Sequence, residues 1–365
     1  MNILRKKIVA FATTMMLVVS LSACGNANQK SNESNTTVNM TNSEVKLETS
    51  EDTLNESSEG KIEVSSEEIS EDISADVSEH SSESSLENSS EEIGETVYPL
   101  TLEDSNGGVL TINEEPMKII SCAPNLTEML YELGAGDKLV ARSDYCDYPE
   151  QVTALESVGN ITTPDIEKII SLEPDLVLAS THFDEENAKK LNDAGIVVLT
   201  LWDGNSFDAV YKMIENLGMA INKNSEAAEA VKEMKNNIAN VEAKVENLDK
   251  PSVYYVIGYG EYGDYTATGE TFISTMIEKA GGDNIVKHVT GWSVTFEEIL
   301  EHDPTIIIIS SNDKDAFMEA DNYKELTAVK EGRVYAIDSN MLDRQGTRND
   351  DAVEALAEIF HPEAF

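Results

Sequence analysis

The chain is 365 residues long and 40% hydrophobic, with 69 Asp and Glu against 26 Lys and Arg, for a formal net charge of -43. The length allows two or three domains with sizeable cores, and the charge argues against binding nucleic acid or anionic lipid through a basic patch. Hydrolytic chemistry would need a nucleophile with its base, or a His-Glu-x-x-His metal signature; neither occurs, so a role other than an enzyme's is expected.

Arg5, Lys6 and Lys7 precede an apolar run over residues 8–21 that is too short for a convincing membrane span. With the small-residue site Leu21-Ser22-Ala23-Cys24 behind it, the stretch 1–23 reads as a secretory signal. Those four residues resemble a bacterial lipobox, which implies that Cys24 becomes the lipidated first residue of a protein anchored on the extracytoplasmic face of the cell membrane. Residues 24–96 are dominated by Ser, Glu, Asn and Thr and hold no aromatic residue. Such a segment cannot bury enough apolar surface to offset its ordering entropy, and its like charges repel, so a disordered acidic tether is expected.

Residues 97–113 alternate apolar and polar around Asn106-Gly107-Gly108, a hairpin signal. Ile119-Ile120-Ser121 is a strand that feeds a loop and then a helix closed at Gly134. Ligands of open α/β sheets settle at the carboxyl ends of strands, which makes residues 121–128, with Asn125, a candidate cleft wall; the alternative is a plain turn and helix cap. A strand over 139–141 gives way to the loop Tyr145-Cys146-Asp147-Tyr148-Pro149, whose aromatic faces beside polar groups suit a flat organic ligand. The alternative is that one tyrosine packs beneath its own loop. Export would permit a disulfide between Cys122 and Cys146, against which stands the reading of two free thiols. Beyond Gly159 and Asn160, one strand ends near His182 and the next at Trp202, on the same edge as the tyrosines. His182 is either an ordinary loop residue or a neutral imidazole able to coordinate a metal. Residues 206–221 present Phe207, Val210, Ile214, Leu217 and Ile221 on one helix face.

Residues 225–248 form a long polar helix whose thin seam, Val231, Met234, Ile238, Val241, Val245 and Leu248, repeats at spacings of three and four. At ~1.5 Å per residue this is a rod of roughly 36 Å, stopped by Pro251. The sequences on its two sides look alike. Residues 166–180, IEKIISLEPDLVLAS, align without a gap on residues 296–310, FEEILEHDPTIIIIS, setting Glu167 against Glu297 and Pro174 against Pro304. In each copy a short helix meets an acidic-Pro corner and runs into a continuous apolar strand, the mark of a strand buried on both faces. The expected fold is therefore α/β: two Rossmann-like lobes with central parallel sheets, residues 97–224 and 250–365, joined by one backbone helix over 225–249.

The second lobe opens with a strand over 253–257 and a glycine-rich loop carrying Tyr259, Tyr262 and Tyr265, expected to be mobile. It lacks the Lys and Ser/Thr of a phosphate-cradling loop. A helix over 271–280 closes at Gly281-Gly282, Trp292 precedes the second repeat, a strand over 333–337 leads to Arg344 and Arg348, and a last helix runs from about 350 to 360.

The lipobox, residues 119–128, the Tyr145 to Pro149 loop, the two repeats, Ala280-Gly281-Gly282-Asp283-Asn284-Ile285 and Gly332-Arg333-Val334-Tyr335 together resemble the substrate-binding lipoproteins of ABC importers. Within these the chain is similar to the single-helix-hinge group that binds cobalamin, haem and iron siderophores, and most similar to cobalamin-binding members through residues 143–149 and the Trp292 segment. The resemblance implies a periplasmic-binding-protein fold with a helical hinge. It implies a monomer without resident cofactor or metal that captures a corrinoid between its lobes and delivers it to a dimeric permease driven by a cytoplasmic ATPase. Taken with the strand-end reading, the residues expected to contact the ligand are Asn125, Tyr145, Tyr148, Asn160, His182, Trp202, Tyr259, Tyr262, Trp292 and Arg344.

The resemblance also implies that Glu167 and Glu297, one per lobe, dock onto arginines of the permease. The alternative is that each merely complements a helix dipole, a service Glu298 supplies in the capping box Thr295-x-x-Glu298. Where cobalamin binders present an aromatic just before the first repeat, this chain has Asn160-Ile161-Thr162. A His and a Tyr in one cleft would suit axial ligation of haem iron, and Arg142, Arg344 and Arg348 would suit propionates or an anionic siderophore. A zinc or manganese carrier would need converging histidines, and the four beyond the tether are scattered in sequence. A surface adhesin fits the tether but leaves the internal repeat unexplained.

Overall fold

A computed structural model describes residues 94–365; the expected signal segment, the lipidation site Cys24 and the tether up to residue 93 lie outside the described residues. Residues 94–96, which composition assigns to the tether, are tied to the fold. Asn224 Nδ2 donates to Gly94 O at 2.8 Å, Thr96 N to Asn222 Oδ1 at 2.8 Å and Thr96 Oγ1 to Met219 O at 2.9 Å.

The expected hairpin pairs β1 (Leu100–Glu103) with β2 (Val109–Ile112), antiparallel, Leu100 opposite Ile112. Its turn is closed by Asp104 Oδ1, which accepts from the backbone N–H groups of Asn106 and Gly108, a local bond that Asp favours in turns. The first lobe then runs β3 (Ile119–Ser121), α1 (Pro124–Glu132), β4 (Leu139–Arg142), β5 (Glu156–Ser157), α2 (Ile166–Ser171), β6 (Leu176–Ala179), α3 (Glu185–Asp193), β7 (Val197–Thr200) and α4 (Phe207–Ala220). Its sheet has the order β5-β4-β3-β6-β7, every pair parallel.

The linking helix α5 (Asn224–Val245) buries the predicted seam, with Val231, Met234, Ile238, Val241 and Val245 all at most 4% exposed. It ends three residues before Leu248, which turns back with its N–H on Val245 O at 3.1 Å and still packs against the core.

The second lobe comprises β8 (Ser252–Gly258), β9 (Asp264–Thr266), α6 (Phe272–Lys279), β10 (Asp283–Asn284), β11 (Ser293–Val294), α7 (Phe296–His302), β12 (Ile306–Ser310), α8 (Lys314–Glu319), α9 (Thr327–Lys330), β13 (Val334–Ile337), α10 (Asn340–Asp343) and α11 (Asn349–Phe360). Its sheet, β11-β9-β8-β12-β13 with β10 beside the start of β8, is mixed rather than wholly parallel. The segment 258–265, expected as a loop, folds back to make β9 antiparallel to β8. Gly260 and Gly263 permit the reversal at φ of 91° and 103°, angles that cost other residues dearly.

The repeat is structural. Residues 161–170 and 291–300 follow the same order of exposed, half-buried and buried positions. The equivalent residues Glu173 and Asp303 both take positive φ, 48° and 38°, immediately before their prolines. The strands that follow are buried on both faces: Leu176 and Leu178, like Ile306 and Ile308, join one large core, while Val177 and Ala179, and Ile307 and Ile309, face two smaller outer cores. The large core is continuous from the hairpin through α4 and α5 to α6 and α11.

Candidate functional site

Between the lobes lies a cleft of about 650 Å³. Its first-lobe wall comes from the start of α1 and the loops after β6 and β7, and its second-lobe wall from the end of β8, the start of α6 and the segment around α10. The strand-end contributions follow from the α/β topology, which leaves room for ligands at the carboxyl edge of a parallel sheet. Both of the chain's tryptophans line it, one from each lobe. Trp202 is 38% and Trp292 52% exposed. Ile161, Ile257, Phe272 and Leu342 add apolar wall.

Of the ten ligand-contacting residues expected from sequence, Asn125, His182, Trp202, Trp292 and Arg344 meet in this cleft. Tyr145, Tyr148 and Asn160 stand outside its lining on the first lobe. Asn160 Nδ2 donates to Tyr145 Oη at 3.2 Å, and the Tyr148 ring lies against the Arg348 guanidinium, 4.3 Å from its centroid. Tyr259 is not in the lining. Its ring packs edge-on against Phe317 and Tyr323, centroids at 5.1 and 5.7 Å, where an apolar neighbourhood receives it. Tyr262 is carried to the turn before β9 and is 85% exposed. Asn205, Ile257, Phe272, Asp343 and Gln345 line the cleft without having been singled out by sequence; of these only Ile257, at a strand's end, carried a positional signal.

Polar contacts bridge the lobes beside the cleft. Glu128 on α1 is 7% exposed and accepts from Arg344 Nη1 at 2.7 Å, Arg348 Nε at 2.7 Å and Arg348 Nη2 at 2.9 Å. Arg344 also reaches Asp147 at 2.7 Å, and Arg348 reaches Asp338 at 3.3 Å. Asn125 Nδ2 donates to Gln345 O at 3.1 Å, and Gln345 Nε2 to Asn205 Oδ1 at 3.2 Å. Arg142 is spent on the carbonyls of Val152, Ser143 and Thr153. The three arginines expected to face an anion are thus all engaged within the protein, and an anionic ligand would have to compete for them. Desolvation raises the Asp343 pKa above the ordinary carboxylate value, more than bonds from Tyr255 and Ser339 and the Arg344 charge lower it.

His182 is exposed, with Nδ1 3.0 Å from Thr181 Oγ1. Cys122 and Cys146 are buried free thiols. Burial, and secondarily the Cys146 thiol, pushes Cys122 up to about 12, which makes it a packing residue rather than a nucleophile.

Glu167 and Glu297 sit in the first turns of α2 and α7, both exposed, and neither forms an ion pair among the described residues. The helix starts are capped by others: Asp165 Oδ1 accepts from Lys168 N at 3.0 Å and Thr295 Oγ1 from Glu298 N at 3.3 Å. The Glu298 carboxylate reaches His288 Nε2 at 2.9 Å. Three residues beyond each glutamate an aliphatic side chain is exposed, Ile170 at 38% and Leu300 at 48%. The histidines are less scattered than their spacing suggests. His361 Nε2 lies 3.1 Å from Gly281 O in the interior, whereas the rings of His288 and His302 lie 5.6 Å apart.

Residues 119–341 match the family model described as periplasmic binding protein. The uncharacterized ABC transporter substrate-binding lipoprotein YvrC of Bacillus subtilis is 37% identical over 277 residues, 74% of this chain and 88% of that one. The periplasmic vitamin B12 binding protein BtuF of Vibrio cholerae superposes with a TM-score of 0.59 at 28% identity, covering 68% of this chain and 98% of that one. The periplasmic heme-binding protein RhuT of Roseiflexus sp. RS-1, in apo form, superposes with a TM-score of 0.62, covering 68% and 99%; at 22% identity that likeness is one of fold.

Proposed function

Since the chain belongs to the periplasmic binding protein family, we propose that it is the substrate-binding component of an ABC importer and captures a corrinoid between its lobes. On this reading Cys24 anchors it by lipid at the extracytoplasmic face of the membrane, and it hands its ligand to a permease dimer powered by a cytoplasmic ATPase. It performs no catalysis and holds no resident cofactor. The observation that carries the corrinoid reading is the pair of tryptophans, one on each side of a mainly apolar cleft. A broad, flat ring system is gripped by such faces, each aromatic contact adding about 0.5–1.5 kcal/mol beyond area burial. A cleft of about 650 Å³ is of the size that holds small organic ligands. A corrinoid exceeds it, so its periphery would rest on the rim residues Tyr145, Tyr148 and Asn160, with Asn125 and Arg344 as polar contacts within. The name of the Vibrio cholerae relative supports the same ligand class.

His182 favours a second reading. Its Nδ1 is near Thr181, so Nε2 is the nitrogen that could ligate haem iron from the cleft wall. Visible spectra decide between the two. Protein incubated with cobalamin or with haem and freed of unbound pigment should keep the corrinoid bands and lose the haem ones. Retention of haem alone would transfer the assignment to haem, and retention of neither would remove both.

Glu167 and Glu297 are proposed as the permease contacts. They occupy equivalent places on the two lobes, are exposed and without an ion pair among the described residues, and each stands beside an exposed aliphatic side chain. A symmetric partner with two basic sockets fits such a surface.

A further inference from the structure

We propose that His288, Glu298 and His302 form a surface binding site for a divalent transition-metal ion of the zinc type. One ligand atom from each residue lies within 4.8 Å of the other two. Glu298 and His302, four apart on α7, share one helix face. His288 comes from the segment between β10 and β11, ten residues earlier in the chain, so the fold and not local sequence makes the cluster.

Both carriers are fixed from below. The Asn284 side chain accepts from Val286 N at 3.2 Å and donates to Ala267 O and Ser274 Oγ, and Val286 is fully buried. Helix α7 is pinned by the buried Ile299 and the Thr295 cap. The ligating ends stay open to solvent, the His288 and Glu298 side chains being 56% and 29% exposed, and His302 is exposed as well.

Around an ion with bond lengths near 2.0–2.1 Å, tetrahedral ligand atoms lie about 3.3 Å apart. His288 Nε2 and Glu298 Oε1 are already at 2.9 Å, and small rotations of exposed side chains would bring in His302. Two imidazoles with one carboxylate select zinc, nickel, cobalt or copper over magnesium or calcium and leave positions open for water. Among the described residues no lysine pairs with Glu298: Lys287, next to His288, is paired with Asp283 at 2.5 Å. The net charge of -43 raises the local concentration of dications. The site stands whether or not the neighbouring Glu297 docks a permease.

The test uses the full chain without a purification tag, stripped with chelator and titrated with Zn²⁺ and with Co²⁺, alongside His288→Asn and His302→Asn. The two substitutions lie on different segments at exposed positions, so melting temperatures in chelator should match the wild type and confirm folding. Other carboxylates of so acidic a chain also take up metal, so the difference between proteins is the readout. Removing a ligand should weaken one Zn²⁺ equivalent by about 10-fold or more, no less than loss of an outer-shell partner does, and abolish the visible Co²⁺ bands. Equal affinity and stoichiometry in all three proteins, or no Zn²⁺ uptake by the wild type, would overturn the site.

Discussion

One carboxylate, Glu128, takes three donors from two arginines of the opposite lobe, and all three side chains are at most 14% exposed. Removing one member of a buried pair leaves the rest as uncompensated charge, which costs about 3–5 kcal/mol. Glu128→Gln should therefore lower stability by about that amount in urea titration, while a loss below about 1 kcal/mol would mean the cluster behaves like solvent-exposed pairs. In the sequence this residue is only the last of the candidate cleft wall 121–128, with nothing to mark it as a bridge between lobes. It reads as an acid on an amphipathic helix, and its partners lie 216 and 220 residues away. His182 and Trp202 were legible because they stand at strand ends, where topology alone directs them to a cleft. Tyr259 was not, since an aromatic residue in a glycine-rich loop looks the same whether it faces a ligand or the two rings that receive it here.

The element most plainly written in the chain is the helix, corner and strand that occurs twice. It was legible because burying a strand on both faces demands an unbroken apolar run, and both runs follow the same acidic-Pro corner. The positive φ at Glu173 and Asp303 was not, because neither is a glycine and the strain is set by the closing of the corner. The hairpin of β8 and β9 escaped for a related reason: its reversal is made by two glycines in a tyrosine-rich stretch without the alternation that marks strands. If α2 and α7 meet the permease, Glu167→Gln and Glu297→Gln should each lower uptake by about tenfold or more, the effect of losing one close interfacial ion pair. Ligand affinity measured on the isolated protein should stay unchanged, as both residues lie outside the cleft lining. Uptake equal to wild type in the double variant would remove these glutamates from the interface.

For the molecule as a whole, the restraint on lobe movement comes from three sources. The apolar seam of α5 is buried along its length, Asn237 on that helix donates to Asp350 of α11 at 2.7 Å, and the Glu128 cluster spans the cleft. A hinge held in this way favours a nearly preformed site. The radius of gyration from solution scattering should change by less than about 1 Å on ligand binding, the scale of motion in preorganised complexes; a marked contraction would contradict it. The apolar core that runs unbroken through both lobes has a thermodynamic consequence of its own. Each lobe has a smaller outer core of its own, but the largest interior is common to both, so the two melt as one cooperative unit and a ligand held between them protects the entire fold. At a hundredfold excess over Kd that protection amounts to about 2.7 kcal/mol, shared by the hairpin that opens the first lobe and the helix α11 that closes the second.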